Sequence, residues 1–156
     1  MEKLIKEIQP DIIKLQEIKC LSEEFPDFYK KHNYKLVING EKGKYGVAIL
    51  IKESIKYQDL EFNNKIITSQ ARICGIRILD NDLHLINVYT PNGNPVNNEE
   101  KFRFKIEWLD QLLNISKELI TIVIPARNEE GNKELFINAL NKFKEISNKL
   151  EIIFVE

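Results

Sequence analysis

The sequence predicts an α/β fold, with a mostly antiparallel sheet, helices packed on it and a C-terminal β-α-β unit, on three observations. Asp82 to Trp108 runs as an alternating strand, a tight turn at Pro91-Asn92-Gly93, and a helix in which Phe102, Ile106, Leu109 and Leu113 recur at helical spacing. Tyr34–Asn39 with Tyr45–Lys52, and Ala71–Leu79 with Asp82–Tyr89, read as two antiparallel hairpins. Gly40 and Gly43 separate the first pair and Asp80-Asn81-Asp82 turns the second. Ile120–Pro125, then the apolar positions Leu135, Phe136, Ala139, Leu140 and Phe143, then LEIIFVE, read as strand, helix and strand, a parallel unit with a right-handed crossover.

At 156 residues the chain suits one core, since a domain of this size buries roughly 70% of its unfolded surface. A composition 43% hydrophobic and 30% charged, with few Gly and Pro, is that of a globular chain and not a disordered one. The 23 basic residues nearly balance the 24 acidic ones, for a net charge of -1 and a pI near 6.2. A nucleic-acid site must therefore be a local patch. Cys20 and Cys74 lie in different elements without CxxC spacing, which reads as buried thiols in a reducing compartment, not as a disulfide or zinc pair. No apolar run approaches the ~18 residues of a membrane span, and MEKLIKEI is charged, so a cytoplasmic protein with no membrane partner is expected.

Leu4, Ile5 and Ile8 share a helical face that must end before Pro10, whose ring removes a donor and restricts Gln9. Asp11–Gln16 follows as a strand and presents Glu17 beyond its carboxyl end, where α/β proteins keep chemistry. Ser22–His32 is short helix or loop, its aromatics covering one end of the core and His32 exposed. Lys42 and Lys44 on the first hairpin tip are solvated charges within reach of a phosphate. His84 is an ordinary strand histidine, and the strand it belongs to delivers Tyr89 to the lip of a turn. Asn97 N-caps the helix that follows, with Glu99 and Glu100 in the first turn. Phe102, Ile106 and Leu109 face the core, with Lys101, Arg103 and Lys105 outside.

NVYTPNGNP followed by KFRFKIEW, with PDIIKLQEIK, GVAILIK and QAR upstream, resembles the exonuclease III branch of the endonuclease/exonuclease/phosphatase family across about residues 3–119. The resemblance implies two sheets packed face to face and phosphodiester hydrolysis on DNA, with Mg²⁺ as cofactor and Mn²⁺ as a possible substitute. It implies Glu17 as a metal ligand, Tyr89 as a hydrogen-bond donor to the scissile phosphate, and Arg72 and Asn92 as DNA contacts. The residue types suit these roles, because hard cations favour carboxylate oxygen and a guanidinium matches phosphate bidentately. The family's Gly-Asp-x-Asn strand end falls on Pro125 to Asn128, keeping Asn128 as a catalytic residue but placing Ala126 where the aspartate stands. The family's metal-binding asparagine strand, its later aspartate and its histidine find no match. A general base contributes typically about 10²- to 10⁴-fold, so little or no turnover is expected.

ITIVIPARNEEGN and LEIIFVE resemble the opening β-α-β of glycosyltransferase family 2. That implies, as an alternative, a nucleotide-sugar site on Arg127, Asn128 and Glu156, with Glu156 replacing the family's aspartate. The two resemblances divide the chain into regions 1–119 and 120–156 and suggest a fused or frame-shifted reading frame in preference to a repurposed small α/β protein, with a non-enzymatic, decayed gene product as a further alternative. On that reading the first region builds a single sheet. Val47, Ile49, Ile51, Ile73 and Ile76 would then need the Leu135–Ile146 helix for cover, and an uncovered patch of several hundred Å² would make the domain marginal and association-prone.

Overall fold

The computed structural model describes residues 2–92, 98–116, 121–125 and 151–155, the last two as backbone strands only. In chain order these form α1 (Glu2–Ile8), β1 (Ile12–Gln16), β2 (Tyr34–Asn39), β3 (Val47–Lys52), β4 (Tyr57–Asp59), β5 (Ile73–Ile78), β6 (Leu83–Val88), α2 (Glu99–Ser116), β7 (Thr121–Pro125) and β8 (Glu151–Val155). Two sheets result, where the sequence suggested one. The first is three-stranded, β1-β3-β2, and wholly antiparallel. The second runs β4-β5-β6-β7-β8, antiparallel as far as β6 and parallel from β6 through β8.

The two sheets cover one another. Side chains alternate along a strand, so β5 sends Cys74, Ile76 and Ile78 to one face, where they pack on Val37, Val47, Ile49 and Ile51 of the first sheet. Its other face carries Ile73, which joins Ile86 and Val88 beneath Trp108, Leu109 and Leu112 of α2. On the far side of the first sheet, Leu50 and Tyr34 meet Ile5 of α1, with Phe25, Phe28 and Tyr29 around them. The molecule is thus layered helix, sheet, sheet, helix. Val47 to Ile51 are all fully buried, as an unbroken apolar run requires when both faces of its strand are covered. The uncovered face expected at Val47, Ile49, Ile51 and Ile76 does not exist, because the second sheet lies on it.

Other expectations need adjustment. Ile5 is 2% exposed but Ile8 is 65% exposed, so α1 docks through Ile5. Gln9 closes that helix in the left-handed region, φ 50°, donating to Ile5 O at 3.0 Å just before Pro10. The stretch after Cys20 forms two 3₁₀ turns, Ser22–Glu24 and Asp27–His32, and His32 is half-buried, not exposed. β3 starts at Val47, two residues later than expected, because Tyr45 and Gly46 turn the backbone with φ of 40° and 86°. The α2 cap is Asn98, whose Oδ1 accepts from Lys101 N at 3.1 Å. Asn97 lies outside the described residues. The buried stripe of α2 is Lys105, Trp108, Leu109 and Leu112, rotated from the expected Phe102 and Ile106, and it takes Lys105 inside at 2% exposure. Among the described residues no helix is long and apolar enough to cross a membrane.

Candidate active site

Glu17 and Tyr89 each stand one residue beyond a strand, β1 and β6 respectively, and these strands belong to different sheets. Their side chains meet: the Tyr89 hydroxyl donates to Glu17 Oε1. Glu17 Oε2 lies 3.3 Å from Lys19 Nζ. The Tyr89 phenol is pushed up to about 12, first by burial and then by its bond to the Glu17 carboxylate. It therefore stays protonated near neutrality and acts as a donor. Burying part of a phenol beside a carboxylate favours the neutral form.

The lip around this pair is held in sparsely populated backbone. Glu17 and Lys19 both have φ of 53°, which costs an L-residue roughly 1–3 kcal/mol and persists only where surrounding bonds enforce it. Those bonds run to the loop before β3. Ile18 N donates to Gly46 O at 3.3 Å, Lys19 N to Tyr45 O at 3.0 Å and Gly43 N to Lys19 O at 2.9 Å. Gly46 is required there, since a Cβ would sit 2.5 Å from Ile18 Cγ1.

Arg72 lies between two tyrosine rings, its guanidinium carbon 3.8 Å from the centroid of Tyr45 and 4.9 Å from that of Tyr89. Its Nη1 donates to the carbonyls of Tyr89 and Thr90 at 3.1 and 3.2 Å, and its Nε to Gln70 Oε1. The side chain is 5% exposed, and burial lowers its pKa from the usual arginine value while Tyr45 opposes that shift. The sequence singled out Arg72 as a phosphate contact; in the structure most of its bonding is spent on shaping the lip beneath Tyr89. It still lines one wall of a cleft of about 570 Å³, with Tyr45, Tyr89, Asn92, Asn98 and Lys101. Asn92 is exposed on that cleft. Lys42 lies away from it, paired with Glu24 at 3.0 Å.

Asn128, Arg127 and Glu156 lie outside the described residues. The sequence did not mark Tyr45, Gln70 or Lys101 as site residues. Only a Gly placed directly after Tyr45 hinted that the chain turns there. Among the described residues no three His, Cys, Asp or Glu side chains cluster closely enough to share a metal ion. Mg²⁺ is commonly held through one or two carboxylates, with waters and substrate phosphates completing its shell. The exposed Glu17 carboxylate fits such a one-carboxylate site.

Residues 1–123 match the endonuclease/exonuclease/phosphatase family. The chain belongs to that family. Over 109 residues it is 37% identical to exodeoxyribonuclease III of Haemophilus influenzae, covering 67% of this chain and 40% of that relative. Its fold is similar to that of an AP endonuclease from Archaeoglobus fulgidus, with a TM-score of 0.66 and 28% identity over 76% of this chain and 45% of the other. It is also similar to the 3' phosphatase NExo from Neisseria bound to a product DNA hairpin, at a TM-score of 0.65 and 25% identity, covering 75% and 45% of the two chains. The chain thus spans less than half the length of these relatives. The α/β architecture with two sheets agrees with these endonuclease/exonuclease/phosphatase neighbours. The match ends at residue 123, inside the first strand of the stretch likened to a glycosyltransferase, and nothing in these comparisons supports that second resemblance.

Proposed function

We propose that this chain takes part in metal-dependent phosphodiester hydrolysis on DNA. The observation that carries the reading is the meeting of Glu17 and Tyr89 at the ends of strands from two facing sheets, in a chain of this family. The exonuclease III and 3' phosphatase relatives support DNA as the substrate class.

On this reading Glu17 would hold Mg²⁺, with Mn²⁺ as a substitute, and the bound ion would offset negative charge on the phosphate. Tyr89, protonated at working pH, turns its donor from Glu17 to a phosphate oxygen. Lys19 balances the Glu17 carboxylate, and Arg72 keeps the Tyr89 and Thr90 backbone in place. Asn92 and Lys101 on the cleft wall face the DNA backbone. On the resemblance Ala126 stands where the family has an aspartate, so turnover is expected to be slow.

A nicking assay on a duplex with one abasic site and Mg²⁺ tests this. The expected result is weak, metal-dependent cleavage or metal-dependent DNA binding, either one abolished in Glu17→Ala. Cleavage and binding that both persist in Glu17→Ala would reject the assignment. A second reading, nucleotide-sugar binding through Arg127, Asn128 and Glu156, has one supporting observation, the parallel pairing of β7 and β8. Any βαβ unit shows that pairing, so the nuclease reading is preferred.

A further inference from the structure

We propose that Asn87, acting with Gln16, is the positioning residue of the Glu17 and Tyr89 pair: its carboxamide latches the two sheets together at the separation where those side chains meet. The consequence for turnover rests on the nuclease reading; the latch itself does not.

Asn87 lies on β6 two residues before Tyr89, and Gln16 ends β1 directly before Glu17. Asn87 is fully buried. Its Nδ2 donates across the sheet interface to Leu15 O at 2.8 Å and Ala48 O at 2.9 Å, and its Oδ1 accepts from Gln16 Nε2 at 3.0 Å. Gln16 Nε2 also reaches Val88 O at 3.4 Å. Every polar atom of the Asn87 carboxamide is therefore used, and all its partners lie on β1 or β3 of the opposite sheet.

A buried amide is tolerated when fully bonded, yet a well-packed apolar residue would serve the core as well, because net hydrogen-bond gains are small. What the amide adds is direction. Apolar side chains between stacked sheets allow sliding of one on the other, whereas three bonds of fixed geometry allow one register. The register is fixed at this spot, within two residues of both functional side chains. Asn39 makes a separate inter-sheet bond, Nδ2 to Ile73 O at 3.0 Å, at the same end of the sheets but between β2 and β5, not the strands β1 and β6 that lead to Glu17 and Tyr89. It is the natural control.

The test uses the full chain with labelled tyrosine and glutamate, following the nuclear Overhauser cross-peak between the Tyr89 ring and the Glu17 side chain, beside the abasic nicking assay. Gln16→Met and Asn87→Ser are expected to lose the cross-peak while remaining folded, and Asn39→Ala to keep it. Where cleavage is measurable, kcat should fall roughly 10- to 100-fold in Gln16→Met with KM nearly unchanged, as expected when reacting groups are misplaced but substrate contacts remain. Should Asn87→Ser fail to fold, Gln16→Met decides. A cross-peak retained in folded Gln16→Met overturns the proposal, as does its loss in Asn39→Ala, which would mean general loosening. A wild-type chain that loses the cross-peak on Gln16→Met yet neither binds nor nicks DNA upholds the latch and overturns the nuclease reading.

Discussion

Cys74 reports on the packing of the two sheets. Burial among Val37, Ile49 and Ile76 pushes its thiol from the usual 9.0 up to about 12, with the Lys14 ammonium opposing the shift. Lys14 is itself held at the interface, donating to Ile86 O at 3.1 Å, and burial lowers its pKa. The folded chain therefore keeps the Cys74 proton after the unfolded chain has released it. The stability linked to that proton is fully present below about pH 9 and is lost as pH climbs toward 12. Cys74→Ala should flatten the fall in urea midpoint between about pH 9 and pH 11 relative to the unaltered chain. Equal slopes in the two chains would show that the thiol is not enclosed. At this scale the sequence exposed Glu17 and Tyr89, because each follows a readable strand. It hid Asn87, whose role depends on Leu15 and Ala48, far away in the chain, and whose only local signal is a polar side chain in an otherwise apolar run.

At the scale of elements, α2 was legible as a helix but not in its rotation. Phe102, Ile106 and Leu109 form a plausible stripe, yet the bulk of Trp108 draws the buried face toward Lys105 and Leu112. Lys105 can follow because a lysine stem packs as hydrocarbon. The indole of Trp108 is fully buried and its Nε1 has no hydrogen-bond partner among the described residues. An unmade buried hydrogen bond costs about 1–3 kcal/mol, which offsets part of what the ring contributes by packing. Trp108→Ala should destabilise by about 3–5 kcal/mol, while Trp108→Phe, which removes the orphan donor along with some volume, should cost under about 2 kcal/mol. Urea unfolding separates the two; a Phe variant as damaged as the Ala variant would mean that the N–H is bonded after all. The strands were legible to within two residues, β4 excepted, since three residues reading Tyr-Gln-Asp carry no alternation to detect.

For the whole molecule, strand existence could be read from alternation but strand membership in a sheet could not. Ile73 and Ile76 lie on opposite faces of β5 by alternation alone, but only the placement of β5 between α2 and the first sheet covers both faces. Hence a single sheet with a bare face was expected, and two mutually covering sheets are found. The same topology gives the stretch beyond Leu119 a structural task. β7 pairs with β6 in parallel at Leu85 to Asn87, so removing it would open the edge of a strand whose Ile86 and Val88 lie in the core. An unpaired apolar edge templates association. Truncation after Leu119 should therefore lower the thermal midpoint and turn a monomeric species by light scattering into a self-associating one, with no heat on titrating uridine diphosphate and Mn²⁺ into the intact chain. A truncated chain that stays monomeric and equally stable would strip β7 of that task. If the intact chain then also bound the nucleotide, and lost it on truncation, the stretch would be a ligand-binding segment resting against the second sheet.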